Sequence, residues 1–197
     1  MEYTICKLSE LNEEQLHQAA TICVEGLYNA FSLISKDKNI LVGIFKDSFD
    51  KDMNYACLHE SKAVGFIGVA NSSKRAAGAM KPEIFERFFE KNKAKMMAKP
   101  IVTAFTKPKL QSEKEMEIEF LAVSPDYQGK GIGTLLIQYV FESLPYVTCQ
   151  IEVFSKNPGA KRLYERLGFE QVSIRTDLWL WLRGIGKVIT LRQDIRK

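Results

Sequence analysis

Apolar positions recur along this chain with two periods, and the switches between them mark out the elements. Residues 3–8 read as a short strand, and Ser9 or Asn12 stands where a helix needs a cap. From Leu16 through Ala20, Cys23, Leu27 and Phe31 the spacings are four, three, four and four, which is one face of an amphipathic helix. A polar break over residues 35–39 precedes a second helical pattern in Ile40, Leu41, Ile44, Phe45 and Phe49. Residues 55–58 and 63–70 read as strands joined across Glu60-Ser61-Lys62 as a hairpin. Farther on, Ile84, Phe85, Phe88 and Phe89 mark a helical stripe, followed by Lys91, Lys93, Lys95 and Lys99, which fit a solvated face or a site for an acidic partner. Residues 101–105 read as a strand and residues 107–114 as a polar turn.

The second half is more regular. An apolar run in Ile118, Phe120, Leu121, Ala122 and Val123 ends at the turn signal Ser124-Pro125-Asp126. Ile132, Leu135, Leu136, Tyr139 and Val140 then hold helical spacing until Pro145, with the helix start at or just before Gly131. Residues 147–154 form a further strand. Strand, crossover helix, strand is a βαβ unit, so the two strands should run parallel with a right-handed crossover. Another helix opens on Asn157-Pro158, a cap followed by proline at the first helical position, and closes at Gly168. One strand to about residue 175 and another over residues 187–193 end the chain. Between them, residues 177–184 would place Trp179 and Trp181 on one side if extended, for the core, for self-association or as an aromatic wall of a ligand pocket.

Between the apolar run and the helix after it lies Gln128-Gly129-Lys130-Gly131-Ile132-Gly133-Thr134. Three alternate glycines let a ligand approach the main chain, and a helix N-terminus offers unpaired N–H groups with partial positive charge. That combination suits a phosphate or pyrophosphate. A dinucleotide fingerprint beginning at Gly129 would need glycine where Thr134 stands, and no G-x-x-x-x-G-K-[ST] occurs. What remains is Q-x-x-G-x-G after a strand ending Leu-Ala-Val, which resembles the pyrophosphate loop, R/Q-x-x-G-x-G/A, of the GNAT superfamily of acyl-CoA-dependent N-acetyltransferases. A second block, NPGAKRLYERLGF from Asn157 to Phe169, is similar to that superfamily's next motif and lies in the expected order and separation. The resemblance covers residues 116–169 well and the flanks in outline.

The resemblance implies an α/β fold: a twisted mixed sheet, mostly antiparallel, with one parallel strand pair splayed at the cofactor site and helices on its faces. It implies one domain over residues 1–197, with 116–169 as its cofactor-binding core and 71–115 as an insertion that could help form the acceptor pocket. Acetyl-CoA is the implied cosubstrate. Its pantetheine arm would pair with main chain at Leu121, Ala122 and Val123 as an added strand would, and its diphosphate would sit on the loop from Gln128 to Thr134. Asn157 is either a cap alone or a cap that also bonds the cofactor. Tyr164 is either a core residue in the stripe Ala160, Leu163, Tyr164, Leu167 or, as the superfamily pattern implies, a donor near the thioester sulfur. A thiol near 8.5 and a tyrosine near 10 make full proton transfer uphill by roughly 2 kcal/mol, so hydrogen bonding is the better description.

An amine acceptor is mostly protonated at neutral pH and needs a base. Glu117 and Glu119 lie two apart, so a regular strand points both to one face, with Leu121 and Val123. Glu117 matches the superfamily's glutamate position and is the first choice. Glu119 is the rival, since a bulge would change which side chain faces the site, and surface ion pairs are the alternative for both. Main-chain N–H groups near Ala122 and Val123 would serve the developing oxyanion.

Composition changes this picture little. At 197 residues, with 46% hydrophobic and 26% charged, the chain fits one globular domain. A net charge of +4 suits an anionic ligand and makes no case for nucleic acid. Four scattered cysteines and two histidines lack metal or disulfide spacing, so reduced, buried thiols and no metal site are expected. The start lacks signal-peptide features and no apolar run is long enough to span a membrane, so a cytoplasmic location is expected, without membrane association. A homodimer is left open. The activity expected is direct transfer of an acetyl group from acetyl-CoA to a primary amine; the alternative is a sensor or interaction module that binds acyl-CoA without turnover. The acceptor is not legible in these residues.

Overall fold

The computed structural model describes residues 2–176, 184 and 186–196. Its elements follow the chain as β1 (Thr4–Lys7), α1 (Glu13–Gly26), α2 (Tyr28–Phe31), α3 (Lys38–Ser48), β2 (Asn54–His59), β3 (Lys62–Ala70), α4 (Pro82–Glu86), α5 (Lys91–Thr106), β4 (Glu115–Val123), α6 (Ile132–Ser143), β5 (Thr148–Phe154), α7 (Pro158–Arg166), β6 (Glu170–Arg175) and β7 (Val188–Asp194). The strands form one sheet in the order β1-β2-β3-β4-β5-β7-β6, antiparallel throughout except for the parallel pair β4 and β5. The expected mixed sheet with one parallel pair is therefore present. Residues 177–183, with both tryptophans, lie outside the described residues.

Local chemistry accounts for the element ends. Asn12 caps α1 through a capping box, its side chain accepting from the Gln15 N–H at 2.9 Å while Gln15 accepts from the Asn12 N–H at 3.1 Å. Asp37 caps α3 by accepting from Asn39 and Ile40. The β2–β3 hairpin turns on Glu60 and Ser61, both left-handed at φ 48° and 66°, as a two-residue turn between twisted strands requires; Lys62 already belongs to β3.

Two cores form, one on each face of the sheet. Helices α1 to α5 cover one face, where Phe31, Phe45, Phe85, Phe66 and Phe120 are buried. Helices α6 and α7 lie against the other, over Tyr55, Ile67, Met116, Ile118, Ile151 and Leu191. Cys23, Cys57 and Cys149 are buried and free, and burial pushes the Cys57 thiol up to about 11 and also raises those of Cys23 and Cys149 well above the ordinary range. Thiols so raised stay protonated and unreactive, which agrees with a structural role.

Two readings of the pattern are corrected. The helical face running to Phe31 is not one helix: α1 ends at Gly26, Leu27 is its C-cap, and α2 is a separate turn. A Cβ at Gly26 would lie 2.7 Å from the Cβ of Ala122, so only glycine allows the helix end to meet β4 this closely. Residues 101–105, expected as a strand, belong to α5 despite Pro100 within that helix. Ala94 and Ala98 are buried and Ile101, Val102 and Phe105 pack on the same core, so a helical burial face overrides the strand preference of Ile101-Val102-Thr103. The lysines before them point to solvent, the bland outcome for a charge run.

Candidate active site

The loop before α6 has the geometry that a phosphate group needs. Gly129 and Gly131 have φ values of +77° and +82°, and a Cβ added to either would meet nothing within 4 Å. They are glycines for conformation, and the space before them is open. Gly131 is the N-cap of α6 and supplies no side-chain acceptor, so the first N–H groups of the helix face that space. Gly133 is more enclosed: its added Cβ would lie 3.3 Å from Leu163, so its lack of a side chain lets α6 pack closely on α7. Ile132 is buried in the core beside Gly65, and Thr134 is half-buried. Gln128 donates from Nε2 to the Val123 carbonyl at 3.2 Å and so ties the loop to the end of β4. Lys130 lies with its Nζ 4.5 Å from the Tyr127 ring centroid, and the Tyr127 hydroxyl is 3.0 Å from His59 Nδ1.

Beside this loop the sheet opens. Pairing between β4 and β5 runs from Glu115↔Thr148 to Ile118↔Ile151 and stops there, although β4 continues to Val123 and β5 to Phe154. On its other edge β4 stays paired with β3 through Val123. Leu121, Ala122 and Val123 therefore present main chain to a gap that no strand fills among the described residues, which is the arrangement an amide-bearing arm can use.

The gap leads into a cavity of about 510 Å³. Glu117 and Glu119 line it, with Tyr164 and Asn157 from the α7 side, and its apolar wall comes from α2, the turn after it and α5, including Phe31, Ile34, Ile101 and Phe105. Thus residues 71–115 contribute to the cavity through α5 and Arg75. The break at Gly26 has the same effect, since it turns Leu27 and Ala30 toward this space.

A bulge decides how the two glutamates sit. Val69 opposes Ile118 and Gly68 opposes Phe120, so Glu119 is an extra residue on β4. The alternation flips there: Met116 and Ile118 face the α6 core, whereas beyond the bulge Phe120 and Ala122 face the opposite core. The expectation that Glu117 and Glu119 share a regular face with Leu121 and Val123 is thereby corrected, because the extra residue shifts the parity.

Their partners differ too. Glu119 forms a buried ion pair with Arg75, the two side chains 4% and 5% exposed, and its Oε2 accepts from the Ala76 N–H at 2.8 Å. Arg75 also donates to the carbonyls of Lys107 at 2.6 Å and Ala104 at 3.4 Å. Burial pushes the Glu119 carboxyl up, opposed by the Arg75 guanidinium and the Ala76 N–H. Both its oxygens are engaged. Glu117 is 2% exposed, and its Oε1 accepts from Lys109 Nζ at 3.2 Å, but its buried Oε2 has no hydrogen-bond partner among the described residues. An unpartnered buried carboxylate oxygen beside an open cavity invites a donor there.

Tyr164 is buried with its ring 5.9 Å from that of Phe169, and burial raises its hydroxyl above the ordinary tyrosine range, so it stays protonated as a donor. Asn157 caps α7, accepting from the Ala160 N–H at 3.1 Å while also lining the cavity. Arg75, Lys109 and Glu152 were not among the residues singled out from the sequence. Arg75 meets Glu119 from 44 positions away and Glu152 meets Lys109 from strand β5, whereas Lys109 lies only eight positions before Glu117.

A seven-stranded mixed sheet split between its one parallel pair, with a glycine loop and a helix N-terminus at the mouth of the split, defines an acetyltransferase class of α/β fold. The chain belongs to the GNAT acetyltransferase family: the pattern of that family, described as "Acetyltransferase (GNAT) family", matches residues 35–169. A ribosomal protein bS18-alanine N-acetyltransferase from Salmonella typhimurium is 36% identical over 67 residues, which is 32% of this chain and 45% of that relative. The chain thus spans under half the length of this relative. Among solved structures, an N-acetyltransferase from Staphylococcus aureus Mu50 superposes with a TM-score of 0.63 at 17% identity, over 96% of this chain and 100% of that one. The ribosomal-protein-S18-alanine N-acetyltransferase of Escherichia coli superposes with a TM-score of 0.59 at 20% identity, over 100% and 96%. At these identities the superpositions speak for the fold. Among the described residues no helix is long and apolar enough to cross a membrane, and no cluster of metal-ligating side chains occurs.

Proposed function

We propose that this chain, acting as one domain, transfers the acetyl group of acetyl-CoA to a primary amine by direct attack. The carrying observation is that the opened β4–β5 edge and the buried carboxylate of Glu117 share one cavity, while the glycine loop follows the C-terminal end of the same strand β4. In this reading Gly129, Gly131 and the first turn of α6 hold the diphosphate, with Gln128 bracing the loop and Lys130 at its rim. The main chain of Leu121 to Val123 pairs with the pantetheine arm. Glu117 takes a proton from the acceptor's ammonium through its free oxygen, directly or across one water. The Tyr164 hydroxyl donates to the departing sulfur as charge develops there, and Asn157 orients α7 for this. Glu119 acts at one remove, holding Arg75 and with it the C-terminal end of α5 against the cavity. The apolar wall of α2 and α5 receives the acceptor's carbon chain. An N-terminal peptide amine, alanine first, is the acceptor class favoured by the names of the relatives.

The test is thermal unfolding with and without acetyl-CoA, followed by free-thiol release with a panel of amines that includes alanine-led peptides and lysine side-chain amines. At about 100 times its dissociation constant acetyl-CoA should stabilise the fold by about 2.7 kcal/mol. Stabilisation without thiol release to any amine would refute the enzyme and leave a binding module.

A further inference from the structure

The cavity already contains an amine. Lys109 enters it from the segment between α5 and β4, with its Nζ 3.2 Å from Glu117 Oε1 and 3.9 Å from Glu152 Oε2. The pair is lopsided: the glutamate is 2% exposed, whereas the lysine is 43% exposed and reaches in from solvent on a flexible stem. Glu152 is itself occupied by Arg175, at 2.5 and 3.2 Å. Burial alone would raise the Glu152 carboxyl, but the Arg175 hydrogen bond and the nearby cations hold it below the ordinary range. The Lys109 amine is thus held within hydrogen-bond reach of Glu117, the group that the proposed mechanism uses as its base.

We infer that Lys109 is an internal acceptor: with acetyl-CoA bound and no external amine in place, the chain acetylates Lys109 in cis. This rests on the reading of Glu117 as base. Glu117 removes one proton from the Lys109 ammonium, and the neutral nitrogen attacks the thioester carbon. A nitrogen–carbon bond forms as the carbon–sulfur bond breaks, and the thiolate leaves with the amine's second proton, so the sum is an amide, a free thiol and one proton given to solvent. No redox partner is needed. The resulting amide carries no charge, so it releases Glu117 and fills acceptor space. Nonspecific acetylation would choose otherwise, because Lys93, Lys95 and Lys99 on α5 are exposed to solvent.

The experiment incubates the 197-residue chain with acetyl-CoA and no acceptor, maps acetyl-lysines by peptide mass spectrometry at several protein concentrations, and measures thiol release to the amine panel on the same sample. One acetyl group at Lys109 is expected, with a fractional rate independent of protein concentration. It should slow about a hundredfold in Glu117→Gln, vanish in Lys109→Arg without appearing elsewhere, and persist in Lys107→Arg. Thiol release to an external amine with Lys109 unmodified overturns the inference while leaving the proposed function standing. A fractional rate that rises with protein concentration, or acetylation spread over the α5 lysines, overturns it as well. Absence of both acetyl-Lys109 and thiol release removes the inference and the proposed function together.

Discussion

Replacing Arg75 with methionine tests the division of labour between the two glutamates. Arg75 and Glu119 are both buried, and methionine fills much of the arginine stem's volume while removing its charge. The change leaves the Glu119 carboxylate with only the Ala76 N–H, and frees the carbonyls of Ala104 and Lys107. Breaking a buried pair from one side costs about 3–5 kcal/mol, a third or so of the roughly 5–15 kcal/mol that holds a domain folded. At about 2–4 °C per kcal/mol for a chain of this size, the melting temperature should fall by roughly 6–20 °C. The pH dependence carries the sign. Without Arg75 the folded-state pKa of Glu119 rises farther above its unfolded value, so the folded state binds more protons than the unfolded state between those two values. The deficit is therefore largest near neutral pH and shrinks as pH falls toward about 5, where the buried carboxyl is increasingly neutral. Urea unfolding at both pH values measures it, and Glu119→Leu added to Arg75→Met should recover much of the loss, since an apolar pair leaves no buried charge. A single variant within about 1 kcal/mol of the parent near neutral pH, or a deficit that grows on acidification, would refute the argument.

Glu117→Gln should lower turnover roughly a hundredfold near neutral pH and recover partly at alkaline pH, where more of the acceptor is already deprotonated, as read from pH–rate profiles. Glu119→Gln should instead lower stability with little change in the shape of that profile; the reverse outcome would make Glu119 the base. Tyr164→Phe keeps the contact with Phe169 and should reduce turnover with little change in acetyl-CoA affinity, so equal rates would return Tyr164 to the core. Gly131→Ala forces a side chain into a left-handed position at a cost of about 1–2 kcal/mol, and should weaken acetyl-CoA binding in a titration; unchanged affinity would sink the loop assignment.

What the sequence determined by itself was everything that rests on short-range pattern. The glycine loop, the cap at Asn157 and the helix from Ile132 each depend on residues within about a dozen positions of one another, and the parallel βαβ unit follows from the order of such local patterns, so their chemistry is written where it acts. The family resemblance rests on the same stretch, and Tyr164 and Glu117 both line one cavity. Tertiary structure decided the rest, because burial is a property of the assembled chain. Residues 101–105 are helical because an apolar face had a core to meet, against their own strand preference. The bulge at Glu119 arises from how β3 pairs with β4, so only the folded sheet could show that one glutamate is locked by Arg75 while the other keeps a free oxygen. Arg75 lies 44 positions from Glu119, and Lys109 belongs to a segment with no apolar period. No local pattern marks either residue: Arg75 gains its meaning from a distant partner, and Lys109, though eight positions from Glu117, from the burial that the fold gives that glutamate.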